Sequence, residues 1–204
     1  MGGWLGWWRD RKIDWKTHYL NTWNHPHREL ISRALKSFHW ISLLEVGCGA
    51  GANLVKIVKD HPGKQLGGID INPDAIKLAQ ETFGGGYFKV NPFHDIMMSD
   101  NSADVVLTDM ALIYVDPFNI HRVLHEIKRI ARNYVVFCEF HIPSFWHRLA
   151  VFLRTGYYGH DFKKELEREG FYDIILFKLP REAWPGGVQE QHGYIIRAKV
   201  PKRK

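Results

Sequence analysis

Cysteine is scarce: Cys48 and Cys138 are the only two in 204 residues, so a disulfide framework is not what holds this chain together. No apolar run is long enough to span a bilayer, and no stretch resembles a cleavable leader. With so little cysteine, these absences lead us to expect a cytoplasmic protein. Internal repeats and low-complexity tracts are missing too, which excludes solenoids and disordered linkers. Lys and Arg outnumber Asp and Glu by 28 to 22, but the excess is scattered. The one basic run is residues 199–204, read as a solvated tail, and no specific nucleic-acid signal accompanies it. What remains is a globular composition, 45% hydrophobic and 25% charged, at a length that suits one α/β domain.

The most informative stretch is Leu43-Leu44-Glu45-Val46-Gly47-Cys48-Gly49-Ala50-Gly51. Residues 41–46 are largely apolar and read as an inner parallel strand. Three glycines at alternate positions follow, and helical spacing resumes over residues 50–59. A glycine turn between strand and helix lets a ligand lie against the backbone and permits positive φ. The dinucleotide fingerprint is G-x-G-x-x-G, whereas this turn is G-x-G-x-G with Glu45 two residues ahead of it. A second strand, residues 65–69, ends in Asp70, where a carboxylate suits a ribose diol.

Through these two motifs the chain resembles the class I S-adenosylmethionine-dependent methyltransferases, specifically over residues 41–104. The resemblance implies a Rossmann-like three-layer α/β sandwich around a seven-stranded, mostly parallel sheet with an antiparallel last strand. It implies S-adenosyl-L-methionine as cofactor and S-adenosyl-L-homocysteine as product. The cofactor-binding residues it implies are Glu45, Gly47, Cys48, Gly49, Gly51 and Asn53 in the turn and following helix, with Asp70 and Ile71 at the ribose. Arg28, with Tyr19 or His27, would meet the methionine carboxylate; the alternative is an ion pair of Arg28 with Glu29 or another acid. The adenine contact falls among Asn91, Asp95 and Ile96. Thr108 and Asp109 close the fourth strand, where Asp109 either binds the cofactor or acceptor or caps a short helix beginning at Met110.

Taken in order, residues 1–38 read as an N-terminal arm and cap helices. The arm carries Trp4, Trp7, Trp8 and Trp15 among basic residues, a composition that fits packing onto the domain or a weak membrane or protein contact. Residues 39–142 read as the cofactor-binding core, with strands at 87–90, 103–108 and 134–138 and an amphipathic helix over 117–131. In that helix His121, His125 and Glu126 lie close together, but no third ligand stands at recognisable spacing and no metal is expected. Residues 143–170 read as an aromatic-rich lid over the acceptor, and residues 171–204 as closing strands at 171–179 and 194–200 joined through a turn at 184–187.

Methyl transfer from a sulfonium asks the protein mainly to align donor and acceptor. A hydroxyl acceptor also needs a base. The candidates are His141, at the end of the fifth strand, and His160, in the expected lid; the alternative for each is a hydrogen-bonded structural histidine. Tyr114 and Tyr158 are candidates to shape the acceptor site. The resulting expectation is methyl transfer to oxygen or nitrogen of a small molecule. A macromolecular or membrane-associated acceptor and a non-catalytic binder are the alternatives. Thr108-Asp109-Met110-Ala111 stands where amino-group methylases of bases and glutamine carry asparagine-proline-proline-tyrosine, which argues against that chemistry.

Overall fold

The computed structural model describes residues 2–185 and 187–202. Met1, Gly186 of the expected turn and residues 203 and 204 of the basic run lie outside the described residues. Three helices precede the sheet: α1 (Gly2–Asp10), α2 (Trp15–His18) and α3 (Pro26–Leu35), with a 3₁₀ turn, Leu20–Thr22, before the third. Strand and helix then alternate through β1 (Ser42–Val46), α4 (Ala52–Asp60), β2 (Gln65–Asp70), α5 (Pro73–Phe83) and β3 (Tyr87–Val90). They continue through β4 (Ala103–Asp109), α6 (Ile120–Ile130) and β5 (Ala131–Phe140). The helices α7 (Phe145–Thr155) and α8 (Phe162–Arg168) lead to β6 (Tyr172–Lys178), α9 (Gly187–His192) and β7 (Gly193–Lys199).

The sheet order is β3-β2-β1-β4-β5-β7-β6. β7 is antiparallel to both its neighbours, and the pairs from β3 to β5 are parallel. This is the expected seven-stranded arrangement. Side chains alternate across the strands. Leu44, Val106 and Phe137 pack with Val123, Leu124 and Ile127 of α6 and with Phe162 and Leu166 of α8. On the opposite face Leu43, Val105 and Val136 pack with Ile31 and Leu35 of α3, Leu54 and Ile57 of α4 and Ile76 and Ala79 of α5. Burial on both faces is why the inner strands read as unbroken apolar runs.

Local chemistry sets the element ends. Asn72 Oδ1 accepts the N–H groups of Asp74 and Ala75 at 3.0 Å each, Pro73 opens α5, and Gly84 at φ 61° closes it. α6 starts at Ile120 rather than at Pro117, because Asp116 ties the preceding residues into a turn by accepting from Phe118 N–H and Asn119 Nδ2. β5 begins at Ala131, earlier than expected, because Ala131 pairs with Ala103 of β4, and it reaches Phe140 because its antiparallel pairing with β7 extends to Phe140–Gly193.

The N-terminal arm is helical and packed. Asn72 Nδ2 donates to the carbonyls of Trp8 (2.8 Å) and Arg11 (2.9 Å), and Trp4 Nε1 donates to Gly156 O (3.2 Å). Among the described residues no helix is long and apolar enough to cross a membrane.

Candidate functional site

The chain reverses its direction of strand addition between β1 and β4, and the crevice at their carboxyl ends is where open α/β sheets bind ligands. A cavity of about 420 Å³ lies there. Its floor is the turn after β1. Gly47 (φ 77°) could carry no side chain, since a Cβ would lie 2.5 Å from that of Ala111 on the neighbouring turn. Gly51, at φ 86°, begins α4 against Phe83 and does not line the cavity. The N–H groups of Gly47 and Cys48 donate to Ile69 O, and that of Gly49 donates to Asp70 Oδ2 at 2.8 Å. The turn therefore offers a ligand close backbone approach rather than free donors.

Asp70 stands at the tip of β2 with Oδ2 on Gly49 N–H and Oδ1 on Asn72 N–H (2.9 Å). Burial raises its carboxyl above the ordinary range, and those backbone donors pull the other way. Each oxygen keeps a lone pair for a further donor. Beside Asp70, Ile71, Asn91 and Phe93 form one end of the wall. Asp95 and Ile96 do not reach it: Asp95 is exposed, while Ile96 N–H donates to Glu126 Oε2 and its carbonyl accepts from Arg129, which ties the loop to α6.

A buried polar cluster forms the opposite wall. Asp109 Oδ2 accepts from His27 Nε2 (2.9 Å), Arg28 Nη1 (3.0 Å) and Asn53 Nδ2 (3.0 Å). Burial works to raise the Asp109 carboxyl, but the His27 ring and the Arg28 guanidinium outweigh it and hold the group well below the usual carboxylate range. Asp109 is thus not a helix cap, and Arg28 does not pair with Glu29, which binds Arg33 and Lys56 instead. Arg28 Nε and Nη2 donate to Thr22, leaving one N–H of its five uncommitted. Glu45 Oε1 accepts from Asn53 at 2.6 Å, while Oε2 is buried without a partner. Burial pushes the Glu45 carboxyl up to about 8 against the opposing Asn53 hydrogen bond, with Asp109 adding to the rise. Thr108 is fully buried behind this wall and does not line the cavity.

Two histidines complete the cluster. His25 Nδ1 lies 2.5 Å from His27 Nδ1, and Trp184 stacks on His27 with centroids 4.2 Å apart. Burial lowers His25 below the ordinary histidine value, with His27 and Arg28 adding to the effect. The remaining wall is aromatic. Trp15 and Tyr19 are 4.9 Å apart, Trp8 meets Tyr114 at 5.3 Å, and Tyr114 meets Tyr157 at 5.7 Å. Of the expected lid, Tyr157 lines the cavity and Tyr158 does not; Trp8 of α1 contributes as well.

His141 and His160, expected as bases, lie outside the cavity. His160 is buried with Nε2 3.0 Å from Val115 O, and burial lowers it to about 4. His141 packs edge-on against Tyr194. His160 is thus a hydrogen-bonded structural histidine, whereas His141 Nδ1 is buried without a partner. Tyr114 is in the wall, with burial raising its hydroxyl pKa and Tyr157 adding to the rise. His121 and His125 face Glu165 of α8 and Glu169 at its C-terminal cap. Among the residues that sequence reasoning missed are Trp8, Trp15, Thr22, His25, Phe93, Trp184 and Gln189. The tryptophan-rich arm was a signal for the first two; Trp184 arrives from a distant connector and Gln189 from α9, neither of which carries a local motif.

Residues 43–133 match the family model described as a methyltransferase domain. This stretch, just under half of the chain, is similar to that family. It holds Glu45, the glycine turn, Asn53, Asp70, Asn91, Asp109 and Tyr114, while His25, His27 and Arg28 reach its site from the helices before β1 and Trp184 from beyond β5. O-methyltransferase 3 of Dictyostelium discoideum is 28% identical over 116 residues, covering 52% of this chain and 26% of that protein. The chain thus spans about a quarter of the length of that curated relative. Among solved structures, the magnesium protoporphyrin IX methyltransferase of Synechocystis PCC 6803, with bound S-adenosylhomocysteine, superposes with a TM-score of 0.63 at 15% identity. The match covers 97% of this chain and 92% of that one. An S-adenosylmethionine-dependent methyltransferase of Thermotoga maritima gives a TM-score of 0.65 at 14% identity over 91% and 95% of the two chains. These likenesses extend the methyltransferase-domain fold across the whole sheet, β6 and β7 included.

Proposed function

We propose that this chain binds S-adenosyl-L-methionine in the cavity and methylates a hydroxyl oxygen of a small-molecule acceptor. The observation that carries the reading is Asp70, held by the N–H groups of Gly49 and Asn72 at the sheet's crevice with a lone pair left on each oxygen for a ribose diol. The rest of the wall suits the same ligand. Glu45 Oε2, buried and unpartnered, fits an ammonium, and the uncommitted Arg28 N–H fits a carboxylate. Ile71, Asn91 and Phe93 form a flat, partly apolar end for a purine.

When bound, the sulfonium donor supplies an activated methyl group. The chain's own work is alignment, exclusion of water and removal of one proton. The aromatic wall of Trp8, Trp15, Tyr19, Tyr114 and Tyr157 keeps water from the reacting end. In the tautomer that commits His27 Nε2–H to Asp109 and leaves His27 Nδ1 as an acceptor, His25 Nδ1 carries the shared proton. His25 Nε2 is then left with its lone pair, and burial keeps the ring neutral at physiological pH. The acceptor hydroxyl gives its proton to that nitrogen. An O-methyltransferase among the relatives supports oxygen over nitrogen.

The test is transfer of a labelled methyl group from S-adenosylmethionine to a panel of phenols, hydroxy acids and amines, with products read by mass spectrometry. Methyl ethers or esters support the reading. Label appearing on amines alone would overturn the oxygen assignment.

A further inference from the structure

The helix α7 is turned inside out. Val151 is its one buried side chain, at 4% exposure. Leu149 and Leu153, each two residues away, lie roughly 160° around the helix from it. On that outward side Leu153 is 75% exposed, Trp146 73% and Phe145 60%. A helix of this composition would ordinarily turn those side chains toward a core.

Its polar residues are as informative. α7 carries His147, Arg148 and Arg154 and no acidic residue, in a chain of net charge +6. Arg148 donates to the carbonyls of Ile142 and Pro143, so its charge meets no carboxylate there. α1 abuts the C-terminal end of α7 through the bond from Trp4 to Gly156 O. Trp7, which packs against Trp4, is half-exposed, with the Arg11 guanidinium 4.0 Å above its ring.

We propose that α7, with Trp7 at its edge, docks on an anionic phospholipid surface. Large apolar side chains flanked by arginines suit the boundary between acyl chains and phosphate headgroups. Headgroup phosphates supply the negative charge that α7 lacks. Pairing with a second copy would set the cations of one α7 against the cations of the other. Tyr157, immediately after the α7 cap, lines the cavity, so the docked surface adjoins the acceptor site. The docking stands independently of the methyl donor.

The experiment is co-sedimentation of the full chain with vesicles of equimolar phosphatidylglycerol and phosphatidylcholine, against vesicles of phosphatidylcholine alone, without cofactor. The double variant Trp146→Asp, Leu153→Asp changes two exposed positions, and its melting temperature serves as the check on folding. The wild type binds the anionic vesicles, binds neutral ones at least about tenfold more weakly, and loses about tenfold or more of its affinity in the double variant. Methyl transfer to a water-soluble acceptor stays unchanged in that variant. No binding by the wild type, equal binding by the variant, or a dimer in sedimentation velocity that the variant abolishes would each overturn the proposal.

Discussion

His25 Nδ1 and His27 Nδ1 stand 2.5 Å apart, so one proton joins the two rings. His27 is anchored in turn on Asp109. Replacing His25 with alanine should lower kcat for a hydroxyl acceptor by about a hundredfold or more, the usual contribution of a positioned base. KM for the methyl donor should hardly move. The wild-type rate should rise with pH through a value below that of an ordinary histidine and be flat by neutrality, because burial lowers His25 and the neutral ring is the active form. Steady-state kinetics across pH reads both; an unchanged kcat removes His25 from the chemistry.

Gly47→Ala should destabilise the fold. The new Cβ would meet Ala111 Cβ at 2.5 Å, and alanine resists the φ of 77° that the turn requires. Together these cost roughly 1–3 kcal/mol, read as a melting temperature several degrees lower. A melt that superposes on the wild type would mean that the two turns can part freely.

Asn72→Asp separates two roles of one side chain. Its Oδ1 still caps α5, but the donors to Trp8 O and Arg11 O are replaced by an acceptor facing carbonyls. The Lys12–Asp74 ion pair is exposed and holds little by itself. Limited trypsin digestion should therefore cut at Arg9, Arg11 or Lys12 several-fold faster in the variant, with an unchanged melting temperature for the rest. Equal cleavage rates would place the anchor of α1 elsewhere.

Glu139 gives the stability a pH dependence of defined sign. It is fully buried, with Oε1 on the N–H groups of Ala111 and Leu112, and burial pushes it up to about 8 against those donors. Between its ordinary value near 4.5 and about 8 the folded chain binds a proton that the unfolded chain has lost. Stability then falls as pH rises through that window and levels off above it. Glu139→Gln keeps the acceptor and cannot ionise, so it should melt at about the wild-type temperature at pH 5 (roughly the unfolded range) and several degrees higher above the folded pKa. Parallel curves would contradict the assignment.

The parts of the site legible in the sequence were local. Glu45, Gly47, Gly49 and Asp70 occupy strand tips and a turn, where spacing alone sets position, and the sheet around them follows from alternating burial. His25 fell within the cap helices and Trp184 within a connector, because only the packing of the 3₁₀ turn Arg181–Ala183 against α3 brings them together. His141 and His160 misled for the opposite reason. Their places near the sheet's carboxyl edge are real, but His160 satisfies Val115 O in the interior, and nothing in its neighbours' identity reveals that. The exposed face of α7 was legible as apolar and was read as a lid; periodicity does not say which side of a helix is covered.

The most direct test of the central claim is calorimetric titration of S-adenosylhomocysteine into the wild type and Asp70→Ala. The account predicts saturable one-to-one binding by the wild type. It predicts at least about a tenfold loss in the variant, the equivalent of one charge-assisted hydrogen bond or more, with the fold retained. Absence of binding by the wild type, or equal affinity in the two proteins, would contradict it.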